Sequence, residues 1–146
     1  MLTLLIVLNL SFMAAIFGYA LACTSVVHPA MLATSRQTSV EFFKPFFHKS
    51  KDVQLIFSLV VMGLSFFISF MGGNWAWFIG GVILQLSGPY TIKILMPVNN
   101  RIMAEGADIN SEQMTKDLGN WGKLHLPRTL LAGVIFILFV FLAVAD

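Results

Sequence analysis

Residues 53–96, VQLIFSLVVMGLSFFISFMGGNWAWFIGGVILQLSGPYTIKILM, decide the fold. Two apolar runs, 53–71 and 75–96, are separated only by Gly72-Gly73-Asn74. Each run is near the ~20 residues a helix needs to cross a bilayer, and Gly-Gly-Asn is turn chemistry. The stretch therefore predicts an antiparallel transmembrane hairpin, with Trp75 and Trp77 beside the turn as aromatic anchors at the membrane interface. Working outward, residues 2–22 and 129–145 are two more apolar runs of spanning length. The prediction is an all-α, four-transmembrane-helix bundle forming one domain over residues 1–146, with helical cytoplasmic extensions and an interfacial segment. Residues 23–52 and 97–128 connect the spans.

Charge orients this bundle. All nine Lys and Arg residues fall within 36–51 and 93–128; apart from Lys93, near the end of the 75–96 run, the apolar runs and both chain ends carry none. Basic loops are retained on the cytoplasmic side, so the long connections are expected there, with both termini extracytoplasmic. The expected setting is a multi-pass protein of a bacterial inner (plasma) membrane, its solvent the lipid bilayer. A hydrophobic content of 58% with 11% charged residues lies outside the range of soluble domains. A net charge of +2, with basic residues dispersed among acids, excludes a nucleic-acid partner. The single cysteine, Cys23, excludes an internal disulfide. Ala20-Leu21-Ala22 before Cys23 resembles a signal-peptidase site, but no basic residue precedes the run, so an uncleaved first helix is expected.

Small residues recur on single helix faces: Ser11, Gly18, Ala22 and Ser25 in the first span, Ser58, Ser65, Ser69 and Gly72 in the second, Gly81, Gln85 and Gly88 in the third. Such faces let backbones approach closely inside lipid, and they read as packing seams. The fourth span is the least polar and is expected to show much of its surface to lipid. Asn9 and Gln85 lie deep; a hydrogen bond to a neighbouring helix is the expected role of each. No Asp, Glu, Lys or Arg falls at mid-membrane, which counts against a proton pump or charge-coupled transporter.

The connections hold the chemistry. Residues 35–51 interleave Phe42, Phe43, Phe46 and Phe47 with Glu41, Lys44, His48 and Lys49, as in a segment lying in the headgroup layer, either as an anchor or as a lid. Pro45 is expected to prevent one uninterrupted helix there. In the second connection Asn110 or Ser111 suits an N-cap. Met114, Leu118, Trp121, His125, Arg128 and Ala132 then follow helical spacing, so a cytoplasmic helix runs into span four with a kink at Pro127. That kink should leave the Lys123 carbonyl open to another donor. His28 and His125 are placed at similar depth by their neighbouring prolines. Two histidines and a third donor suffice for a metal, but the Glu-x-x-His pairs of di-iron bundles and the Cys/His spacings of zinc sites are missing. No metal is assigned, and haem held by His28 and His125 ranks behind the other readings. Trp121, His125 and Arg128 present a flat aromatic, a titratable ring and a fixed cation on one stripe. That trio suits a planar, oxygen-bearing molecule; it equally suits a belt aromatic and a snorkelling cation.

His28-Pro29-Ala30, Lys44-Pro45, Pro89-Tyr90-Thr91 through Met96-Pro97-Val98-Asn99-Asn100-Arg101, and Trp121-Gly122-Lys123-Leu124-His125 with Arg128-Thr129 resemble, in order and spacing, the anthrone oxygenase-like membrane family. The resemblance covers nearly the whole chain and implies a four-span helical protein. Fungal members of that family oxidise an anthrone to an anthraquinone with molecular oxygen. Where the family often has Trp before Lys-Pro this chain has Phe43, and where it often has an acid before His-Pro this chain has Val27, which weakens a metal at His28. The redox reading that follows is a cofactor-poor oxygenase or oxidase for a small hydrophobic aromatic substrate. In it His125 is the base and Arg128 the charge partner. Trp121 is the stacking surface, Asn99 and Asn100 clamp substrate oxygens, Arg101, His28 and Lys44 complete the site, and molecular oxygen is the co-substrate. The competing reading is a membrane scaffold or lipophile-binding, transport-associated module in which the same groups satisfy one another. A converging pocket separates the two. An oligomer is left open by both.

Overall fold

The computed structural model describes residues 1–145. Its elements are α1 (Leu2–Ala22), a π-bulge (Cys23–Val27), α2 (His28–Leu32), α3 (Arg36–Gly72), α4 (Ala76–Leu84), α5 (Ser87–Tyr90), a second π-bulge (Thr91–Leu95), α6 (Met96–Ile102) and α7 (Glu112–Ala145). Run together across the bulges, these make four long helices, each with a window apolar enough to cross a membrane. The protein is a multi-pass integral membrane protein with an all-α four-helix bundle.

The hairpin forms as expected. Gly73 ends α3 in the left-handed region, φ 77°, where a glycine carries no Cβ penalty. The seam between α3 and α4 uses small residues: a Cβ on Gly81 would stand 3.1 Å from Ser65 Cβ and 3.3 Å from Met62 Cα. Asn9 donates to Val61 O (3.2 Å) and Ser65 Oγ (2.8 Å), tying α1 to α3, and Gln85 donates to Ser58 O (3.1 Å).

Several expectations are corrected. The stripe Ser11, Gly18 and Ser25 faces outward; α1 packs instead through Asn9, Met13, Ile16 and Ala20, because that face carries the shape-filling side chains. Trp75 is exposed as an anchor would be, whereas Trp77 is fully buried, its ring 5.0 Å from Phe139. The connections are mostly helix: residues 36–51 are the first part of the 37-residue α3, which continues through Pro45 where a break was expected. Pro45 is exposed, so the carbonyl that loses its donor can be served by water, and the helix survives the missing bond. In α7, Leu130, Val134, Ile137 and Phe141 face outward as expected of the fourth span, while Ala132, Gly133, Ile135 and Phe139 are buried.

Two apolar cores result. One, from Met13, Ile16, Val61, Ile68, Trp77 and Phe139 among others, fills the membrane part of the bundle. The other gathers Cys23, Met31, Phe43, Ile102, Leu118 and Trp121 where the helical extensions meet. Each bulge lies just ahead of a proline, Pro29 or Pro97, which withholds a backbone donor from the preceding turn.

Candidate functional site

Between the two cores lies a cavity of about 320 Å³. Ile16, Ala20 and Cys23 of the first helix, Phe46, Phe47 and Leu55 of α3, and Leu84, Leu95 and Ala132 of the others supply its apolar wall. Asn99, Trp121, His125 and Arg128 converge on its deep side, and no acidic residue lines it. α3 packs along α4 and touches α6 but makes little contact with Ser87–Leu95, so the wall between α3 and the third span is thin there. Leu55 and Ile92, 56% and 69% exposed, flank this side.

The convergence follows from α7. Trp121, His125 and Arg128 lie three and four residues apart and so share one face of an α-helix. His125 stacks on Trp121 with ring centroids 4.9 Å apart at 17°. The indole Nε1–H, which can only donate, is given to Asn99 Oδ1 at 2.9 Å. That bond fixes the Asn99 amide: its Nδ2, without a partner among the described residues, is a donor left over beside the cavity. Arg128 has a wholly buried Nε with no acceptor among the described residues. Its charge is likewise unmatched by any ion pair among them. Burying a cation without an acceptor is costly, and a cavity beside it is where an anionic or strongly accepting ligand atom would offset that cost.

The other four expected site residues stand outside the cavity, each for a visible reason. His28 is buried behind Trp121, ring centroids 5.7 Å apart, and its Nε2 donates to Leu118 O at 2.8 Å. There it fastens the first helix to α7 over Gly122, where a Cβ would come within 2.3 Å of His28 Nδ1. Arg101 grips Asp117 with both arms of its fork, Nε to Oδ2 at 2.7 Å and Nη2 to Oδ1 at 2.8 Å. Asn100 is exposed on the outer side of α6. Lys44 lies on an open surface hollow with Glu41, Pro45 and Met103.

Several neighbours of the cavity were given no role by sequence reasoning, although Tyr90 and Thr129 stand in the motifs quoted above. Tyr19 shares a short hydrogen bond with Ser50. Tyr90 Oη donates to Leu124 O at 2.9 Å, so the carbonyl served by a side chain near Pro127, which lies inside the continuous α7, is one residue past the expected Lys123. Thr24 Oγ1 and Thr129 Oγ1 lie 3.0 and 3.4 Å from His125 Nδ1. Thr129 follows His125 by four residues, a spacing that could have marked it; Thr24 carries no comparable signal, because its place depends on how α1 registers against α7. Among the described residues no three His, Cys, Asp or Glu side chains gather as a metal-binding set.

This fold and cavity define a polytopic helical membrane protein whose bundle encloses a chamber with basic and imidazole groups on one wall. The chain belongs to the anthrone oxygenase family, whose model matches residues 43–138. The match takes in Asn99, Trp121, His125 and Arg128, and leaves α1 outside it. Among curated proteins and solved structures nothing matches the chain.

Proposed function

We propose that this family member is an oxygenase acting on a planar phenolic or quinone-related, anthrone-like molecule held in the cavity, with molecular oxygen as co-substrate and without a metal or haem. The observation that carries the reading is Arg128, a cation with a buried, unpaired Nε on the wall of an apolar, acid-free chamber, one helical turn from a histidine. In the reaction, His125 takes a proton from the benzylic CH₂ of the anthrone, and Arg128 receives the charge that moves onto the carbonyl oxygen. Asn99 Nδ2 is a second donor for the same or a neighbouring oxygen. The enolate passes one electron to O₂, carbon and oxygen join, and the hydroperoxide regains the proton and loses water. In sum, one anthrone and one O₂ give one anthraquinone and one water. Trp121 supports His125 by stacking, so Phe46 and Phe47 are the aromatic walls open to the substrate. The proposed orientation puts the basic extensions, and hence the polar end of the cavity, on the cytoplasmic side.

The scaffold reading keeps support from the groups that do satisfy one another: His28 with Leu118, Asn99 with Trp121, Arg101 with Asp117. It gives no account of Arg128 or of the cavity. Oxygen uptake with an anthrone in protein-loaded nanodiscs, above the uncatalysed rate, separates the two. His125→Ala is expected to abolish the catalysed uptake while the protein elutes as a folded species; undiminished uptake in that variant defeats the assignment.

A further inference from the structure

His125 Nδ1, Thr24 Oγ1, Thr129 Oγ1 and the carbonyl of Ala20 form a knot of five contacts joining the first helix to α7. The two hydroxyls are 2.8 Å apart, each lies 3.1 Å from Ala20 O, and Nδ1 is 3.0 Å from Thr24 and 3.4 Å from Thr129. Protons decide what such a knot does. Each hydroxyl brings one, and the carbonyl brings none. If Nδ1 is bare, the two hydroxyl protons can serve only two of the four contacts at 3.1 Å or less, and the other two are left with bare acceptors facing each other. If Nδ1 carries a proton, three of the four are served: Nδ1–H donates to Thr24, Thr24 donates to Ala20 O, and Thr129 donates to Thr24. Only Thr129 and Ala20 O then face each other without a proton, and that carbonyl already accepts from Thr24 and from the Cys23 backbone N–H.

We infer that Thr24 and Thr129 are positioning residues that hold His125 as its Nδ1–H tautomer, so that Nε2 presents a lone pair to the cavity. Three further observations bear on it. The ring's face is covered by Trp121, which leaves its edges for chemistry. Nε2 has no hydrogen-bond partner among the described residues, although His125 is buried and lines the cavity. Thr24 stands in the π-bulge, and such single-turn departures from regular helix are frequent at functional sites. The ring nitrogen that carries the proton is set by the hydrogen bond the other side makes. As a role in catalysis, the inference rests on the oxygenase reading; as a statement about the imidazole, it stands apart from it.

The test uses the full chain in nanodiscs with ¹⁵N-labelled histidine under mildly alkaline conditions, where the tautomers give distinct ring-nitrogen shifts. His125→Gln assigns the resonance by its loss. The expected wild-type spectrum shows a protonated Nδ1 and a bare Nε2 for His125. Thr24→Val with Thr129→Val, which keeps shape and removes both hydroxyls, should move the signal toward the Nε2–H form and lower the turnover number for oxygen uptake by roughly 10²-fold with KM little changed. Thr24→Ser with Thr129→Ser should restore both. A wild-type His125 with a protonated Nε2, or a valine double variant with an unaltered spectrum, overturns the inference. The wild-type spectrum decides even if the valine variant does not fold. The expected spectra without any catalysed uptake would defeat the oxygenase reading alone.

Discussion

Arg128 is where binding and stability are set against each other. Its Nε is buried without an acceptor among the described residues, so the folded protein carries a desolvation cost there that an apolar isostere would not. Arg128→Met is therefore expected to leave the melting temperature in detergent unchanged or raise it, while catalysed oxygen uptake falls by about 10²-fold or more, the usual effect of removing one donor to a developing oxyanion. A variant that loses stability and activity together would make Arg128 a structural residue. The opposite pattern belongs to Gly122, where a Cβ would enter the His28 ring at 2.3 Å. Gly122→Ala should destabilise by roughly 1–3 kcal/mol, as overpacking does, and a thermal-shift measurement checks it. His28 shows what sequence could and could not give at this scale. Its depth beside His125 was legible from the two prolines. That it turns its Nε2 to the Leu118 carbonyl, 90 residues away, depends on interhelical register, which no local pattern encodes.

At the level of elements, the membrane-crossing parts of the helices were readable because hydropathy and length report them directly. What hydropathy missed is how far the helices run beyond the membrane. The extensions are polar outside and are held by packing of Phe43, Met114, Leu118 and Trp121, a contact set assembled from α3 and α7. Pro45 misled for the same reason: a proline predicts a break when local energetics rule, and here the tertiary contacts of its neighbours Phe43 and Phe47 carry the helix past it. Pro45→Ala restores an amide donor at an exposed helical site and should raise stability by about 1–3 kcal/mol, read as a higher unfolding temperature. Arg101 was read as a site residue because it closes the Asn99-Asn100-Arg101 run. Its fork instead joins α6 to α7, and Gln113 adds a third bond to the same carboxylate at 2.9 Å. Arg101→Ala strands the buried Asp117 and should cost on the order of 1–2 kcal/mol. The oxygen-uptake KM of the protein that remains folded should be unchanged, since Arg101 does not line the cavity. A raised KM with unaltered stability would return Arg101 to the substrate.

For the whole molecule, orientation relates the cavity to the cell. Every Lys and Arg lies in 36–51 or 93–128, and the folded chain places both segments at the end of the bundle opposite the Gly73 turn. In the orientation we propose from the positive-inside bias, that end faces the cytoplasm, and His125 and Arg128 would then lie just within the inner leaflet, on the side of the thin wall beside Leu55 and Ile92. Cysteine accessibility reads this directly. Cys23, the chain's one cysteine, is 2% exposed and so gives a quiet background. Asn110 is exposed in the loop between α6 and α7. Asn110→Cys is expected to resist a membrane-impermeant maleimide in intact cells and to react once the cells are permeabilised. Reaction in intact cells would turn the bundle over, place the imidazole and guanidinium in the outer leaflet, and require any proton taken by His125 to leave toward the outside.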